Sequence, residues 1–175
     1  MTQKYARIER ERRFLLDRFP EGVQVVRVLG IRDRYIEGTR LRLREQRQEG
    51  GERIYKLAQK LPLRGAGAQQ GFLTNLYLNE REYETIARLP SWGLQKTRHS
   101  VPPMGIDVFE GALAGLVMAE VEFESEGEAE AFAAPGFVGP EVTGDERFTG
   151  GVLARTTREE LAGWLGEYGM RGPQR

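Results

Sequence analysis

The sequence predicts an α+β fold that is mainly β: a closed β-barrel with a polar interior and a few flanking helices. Three observations predict it. Several segments alternate every two residues, the period of a strand. Their repeating face is charged rather than apolar. The charged faces come from both ends of the chain, so a fold that turns them to one interior satisfies all of them together. A closed barrel does this and leaves no edge strand exposed.

Strand-like alternation begins at "RIERERRFLL", where Glu9, Glu11 and Arg13 share one face. Arg10 and Arg12 fall on the opposite face and read as surface residues. "TRLRLREQ" sets Arg42 and Arg44 together, and "RIYKLAQKL" sets Lys56, Ala58 and Lys60 against Tyr55, Leu57, Gln59 and Leu61. "LQKTRHS" pairs Lys96 with Arg98, and "LVMAEVEFES" aligns Glu120, Glu122 and Glu124. "LRGAGAQQG", Leu63 to Gly71, reads as a loop between strands and carries no nucleotide-binding fingerprint.

Three helices are marked by capping-box spacings: Asn79 with Glu82, Ser125 with Glu128, and Thr157 with Glu160. The last opens a C-terminal helix at about 157–169, whose stripe of Leu161, Trp164, Leu165 and Tyr168 reads as packing. The 175 residues suit a single domain over 1–175.

Composition excludes several classes. Hydrophobic residues make up 39% and charged residues 30%, outside the range of disordered chains, and no run of about eighteen apolar residues could span a membrane. There are no cysteines, which removes disulfides and thiolate chemistry. With no apolar signal region at the N-terminus, a cytoplasmic location is expected. Lys plus Arg equals Asp plus Glu at 26 each, which argues against a nucleic-acid coat. No nucleic-acid or membrane partner is expected, and the chain is expected to be a monomer or homodimer.

Residues i and i+2 of a strand project about 7 Å apart on the same side. Glu9 with Glu11, and Glu120 with Glu122, can therefore aim four carboxylates at one region. Their repulsion is tolerable around a divalent cation, and oxygen donors select Mg²⁺ or Mn²⁺. The basic pairs in the same interior call for more negative charge than four glutamates supply. An oligophosphate provides it, with guanidinium forks and ammonium groups on its oxygens.

The order of these motifs resembles the CYTH domain proteins, or triphosphate tunnel metalloenzymes, over roughly Tyr5 to Leu165. "IERERRFLL" is similar to the family's ExExK strand, "TRLRLRE" to its RxR strand, and "YKLAQK" to the strand ending in an inward lysine. "LQKTRHS" is similar to its KxR strand, "MAEVEFES" to its EVEF strand, and "GPEVTGDERFTGGVLA" to its EVTxDxRY segment. The resemblance implies an eight-stranded antiparallel barrel forming a tunnel, and metal-dependent hydrolysis of a triphosphate, inorganic triphosphate first. It implies that Glu9, Glu11, Glu120 and Glu122 hold metal, joined by Glu141 and Asp145 in a second acidic cluster. Arg42, Arg44, Lys56, Lys60, Lys96, Arg98 and Arg147 are expected to bind the triphosphate, and Glu9, Glu11 and Arg13 to act in catalysis.

The chain departs from that pattern in two places. Arg13 stands where the family has lysine, and is expected to serve as a substitute cation toward phosphate. Asn75 and Leu76 stand where many members carry an acidic pair. Within the family, thiamine triphosphate hydrolysis and ATP cyclisation are the rival activities, although "QKYAR" lacks the histidine-aromatic element of the cyclases. Outside it, the rival is a non-catalytic polyphosphate- or nucleotide-binding module. His99, the sole histidine, is assigned no catalysis.

Overall fold

The computed structural model describes residues 4–48, 50–63 and 70–170. Eight strands close into one antiparallel barrel. They are β1 (Arg7–Leu16), β2 (Arg27–Ile36), β3 (Leu41–Gln48), β4 (Arg53–Pro62), β5 (Gln70–Leu78), β6 (Ser91–Val101), β7 (Met104–Phe109) and β8 (Val117–Phe123). The order around the wall is β1-β5-β4-β3-β2-β6-β7-β8. Most of the loop expected at Leu63–Gly71 lies outside the described residues, and Gly71 itself belongs to β5. A Cβ there would meet the Leu61 carbonyl oxygen at 2.9 Å, so the close approach of β4 requires glycine.

Among the described residues, four short helices flank the barrel: α1 (Glu80–Ile86), α2 (Glu126–Ala131), α3 (Gly150–Leu153) and α4 (Arg158–Glu167). Asn79 and Thr157 form complete capping boxes with Glu82 and Glu160. Ser125 accepts from the Glu128 amide, but the Glu128 side chain reaches back to the Glu124 amide instead, so this box is half made. No helix among the described residues is long and apolar enough to cross a membrane.

The apolar core is split in two, because the barrel interior is largely charged. Phe14, Leu16, Val117, Ala119 and Val121 face outward from β1 and β8 and pack under the chain around Phe132. Leu15, Leu94, Phe109 and Met118 occupy the inner ends of their strands and meet Phe148, Leu153, Leu161 and Leu165. The predicted stripe of α4 is thus packing: Leu161 and Leu165 are buried, and Trp164 and Tyr168 lie against the same cluster. The inner face of β1 therefore changes character along its length, from Glu9 and Glu11 to Leu15.

One stretch of wall is irregular. β1 bonds β8 over Arg10–Leu16, but its other edge bonds β5 only over Arg7–Arg10. Past Arg10 that edge is taken by residues 139–143. The Leu15 amide donates to the Pro140 carbonyl at 2.9 Å, and the Gly139 and Val142 amides donate to the Leu15 and Arg13 carbonyls at 2.8 Å each. The segment predicted as an acidic site is in fact part of a strap, residues 139–153, whose first part completes the wall and which continues through a 3₁₀ turn at Glu146–Phe148 into α3.

Candidate active site

The barrel encloses a cavity of about 960 Å³. Among the described residues, eleven cationic side chains and six carboxylates line it, an excess of positive charge. Glu9, Glu11, Arg42, Arg44, Lys56, Lys60, Lys96, Arg98, Glu120 and Glu122 all face it, as their strand registers dictate.

The acidic sector is built on β1 and β8, where Glu11 lies opposite Glu122 and Arg13 opposite Glu120. Lys60 stands between the β1 carboxylates, with Nζ 2.6 Å from Glu9 Oε2 and 2.7 Å from Glu11 Oε1. Burial raises the Glu11 carboxyl above its ordinary value, and the Glu120 and Glu9 charges add to this against the opposing Lys60. Burial opposes the charged form of Lys60 as well, but Glu11 and Glu9 outweigh it and the ammonium is held above its ordinary value. Glu122 is half exposed beside Arg7, with Nη2 at 3.4 Å. Among the described residues, no three acidic or histidine side chains are already gathered as a metal cage.

The basic sector is organised by two buried aspartates that sequence reasoning missed. Asp33 accepts a bidentate fork from Arg44 at 2.6 and 2.7 Å, with Arg42 at 3.9 Å. Burial alone would push the Asp33 carboxyl up, but Arg44 and Arg42 outweigh it and hold it below its ordinary value. Asp107 is fully buried and accepts from Lys96 at 2.5 Å and from Arg98 at 2.7 and 2.6 Å. Arg98 also ion-pairs with Glu120. For Glu120 burial works upward, yet Arg98 and Lys96 hold its carboxyl far below the usual range. Gly105 makes room for this cluster, because a Cβ would lie 3.2 Å from Arg98 Cδ. A signal was present in the sequence: Asp107 interrupts the apolar strand "GIDVF", and Asp33 alternates with Ile31 and Tyr35.

This charge pattern gives an acid-stability prediction. Asp33 is depressed on folding, so its contribution is present above the ordinary aspartate value and is lost as pH falls through the lowered one. Below a pH of about 4, wild type should lose urea stability more steeply than Asp33→Asn. Equal slopes in the two proteins would refute the assignment.

Three expected site residues do not line the cavity. Glu141 is bonded by Arg12 at 2.9 and 2.6 Å on the outer side of β1. The residue that had read as surface, Arg12, is what holds it, and that bond keeps the Glu141 carboxyl low. Asp145 caps the 3₁₀ turn and pairs with Arg147 at 2.7 Å, while Tyr168 Oη donates to it at 2.9 Å. Arg147 reaches on to Glu167 at 2.7 Å and lies over the Trp164 ring. These residues tie the strap to β1 and α4 because side chains alternate about a bend that the strand period could not foresee. Among the described residues, Glu141 and Asp145 thus stand apart from the cavity carboxylates rather than forming a second acidic cluster.

Arg13 departs from expectation too. It is 2% exposed, and its guanidinium donates to the Phe148 carbonyl at 2.7 Å and the Thr143 carbonyl at 2.8 Å. Both terminal nitrogens are thus engaged by backbone rather than presented as a free cation. Asn75 faces the cavity, and Leu76 is exposed on the other side of β5. Tyr35 borders the cavity with its hydroxyl pushed up to about 12 by burial, with Asp33 adding to it. His99 packs against Phe19 with the rings tilted and is not among the lining residues.

No protein-family model matches the chain. A curated relative from Nitrosomonas europaea, described as an inorganic triphosphatase, is 33% identical over 156 residues, covering 83% of this chain and 96% of the relative. The crystal structure of the inorganic triphosphatase NE1496 superposes with a TM-score of 0.56 at 29% identity, covering 85% of this chain and 95% of that one. On the strength of this identity over nearly the full length, with the eight-stranded barrel in common, the chain belongs to the inorganic triphosphatase family.

Proposed function

We propose that the protein hydrolyses inorganic triphosphate inside the barrel, with Mg²⁺ or Mn²⁺ as cofactor, as a CYTH-type triphosphate tunnel enzyme of the cytoplasm. The observation that carries this reading is the charge excess of the enclosed cavity, eleven cations against six carboxylates among the described residues. A chain of phosphates supplies the missing negative charge, and guanidinium forks match its oxygens. Among the described residues Arg42 and Lys56 donate no hydrogen bond to a carboxylate, Arg42 standing 3.9 Å from Asp33 and Lys56 over the Tyr77 ring, so both can turn donors toward phosphate. Arg44, Lys96 and Arg98 are held in fixed directions by Asp33 and Asp107, which lowers the ordering cost of binding.

The donor chemistry of Glu9, Glu11, Glu120 and Glu122 suits a hard divalent cation. Burial, with repulsion from Glu120 and Glu9 added to it, already raises the Glu11 carboxyl, and positive charge at that spot would offset both. When bound, such a cation neutralises phosphate oxygens and polarises the bond to be broken. The chain's own part is positioning. Lys60 moves between carboxylate and phosphate partners, and the basic sector holds the substrate in line.

Phosphate release from inorganic triphosphate, ATP, thiamine triphosphate and long-chain polyphosphate, each with Mg²⁺, Mn²⁺ or EDTA, tests this. Inorganic triphosphate should be the fastest substrate, with no release in EDTA. Binding of triphosphate by calorimetry without release from any substrate would overturn it in favour of a binding module.

A further inference from the structure

We propose that Arg13 is a positioning residue that latches the strap 143–153 across the end of the cavity. It acts on the reaction through the strap and makes no phosphate contact. This rests on the triphosphatase reading for its kinetic half alone.

The latch has two layers. Along the backbone, the Arg13 amide donates to Thr143 Oγ1 at 3.0 Å, and the Val142 amide donates to the Arg13 carbonyl. From the side chain, one terminal nitrogen reaches Thr143 and the other Phe148, so a single guanidinium bridges two carbonyls of the strap five positions apart. The remaining Nε is buried without a hydrogen-bond partner, 3.9 Å from Glu11 Oε1. The same planar group thus faces the strap on one edge and the acidic sector on the other.

What it holds is part of the cavity wall. Glu146, Thr149, Gly150, Gly151 and Val152 all line the cavity. From the other side, Tyr35 presses on the strap so closely that a Cβ at Gly150 would collide with its hydroxyl oxygen. The strap is therefore seated between Arg13 and Tyr35. A lysine at 13 has one nitrogen in place of a rigid fork, and cannot reach two carbonyls of the strap in the same geometry.

Hydrogen exchange of the free protein reads the latch without any substrate. In Arg13→Lys, amides of 143–153 should exchange at least about ten-fold faster, with the barrel strands unchanged. In kinetics on triphosphate, kcat should fall about ten-fold while KM moves less than about two-fold, because the phosphate-facing cations are untouched. Gly150→Ala disturbs the same strap from the Tyr35 side with Arg13 intact, and should give the same pair of changes. Unchanged exchange in Arg13→Lys overturns the latch. Faster exchange with unchanged kcat overturns the positioning role, and a rise in KM at constant kcat overturns it in favour of a direct phosphate contact. If wild type hydrolyses no triphosphate, the proposed function fails, and the exchange data still decide whether the latch exists.

Discussion

Asp107→Asn is expected to destabilise the protein by about 3 kcal/mol, the low end of the range for removing one partner of a buried ion pair. Asparagine fills the same space but leaves Lys96 and Arg98 with less counter-charge in a site that is almost fully buried. The low end applies because Glu120 stays in place, paired with Arg98 and 3.8 Å from Lys96 Nζ. Urea unfolding at neutral pH measures it. Adding Lys96→Met should recover part of the loss, since the double variant no longer buries an unpaired ammonium. An Asp107→Asn protein as stable as wild type would show that the cations are satisfied without it.

Glu120→Gln is expected to lower kcat/KM for triphosphate by about 100-fold, the scale for removing one charged group from a preorganised site. The substitution nearly preserves shape, and Arg98 keeps its fork to Asp107, so circular dichroism should stay native. Glu122→Gln should cost less, because Glu122 is half exposed at the edge of the cavity and paired with Arg7. Phosphate release measured across Mg²⁺ and Mn²⁺ concentrations separates a weakened metal requirement from a lost chemical step. Full activity in Glu120→Gln, or in EDTA with the wild type, would sink the metal assignment.

The two variants probe opposite sides of one network. Asp107 fixes the cations from the barrel wall, while Glu120 meets the same cations from the acidic sector. If both aspartate and glutamate were simply packing, their loss would move stability and activity together. A stability effect that dominates for Asp107 and an activity effect that dominates for Glu120 would separate anchoring from chemistry.

Alternation by itself determined the strands and the charge of their repeating faces. Strand geometry is local: a period of two places Glu9 with Glu11, Arg42 with Arg44, and Glu120 with Glu122 whatever the rest of the chain does. The caps at Asn79 and Thr157 are legible for the same reason, since each involves neighbours three residues apart. Register and closure were not legible, because they depend on which strands meet. Only the tertiary structure placed Asp107 between Lys96 and Arg98, and Asp33 against Arg44, contacts made across strands. It also decided that Glu141 bonds Arg12 outside the wall and that Arg13 grips the strap from within. Those partners lie more than a hundred residues apart in sequence, and a side chain's charge does not say which of several opposite charges the fold will bring to it.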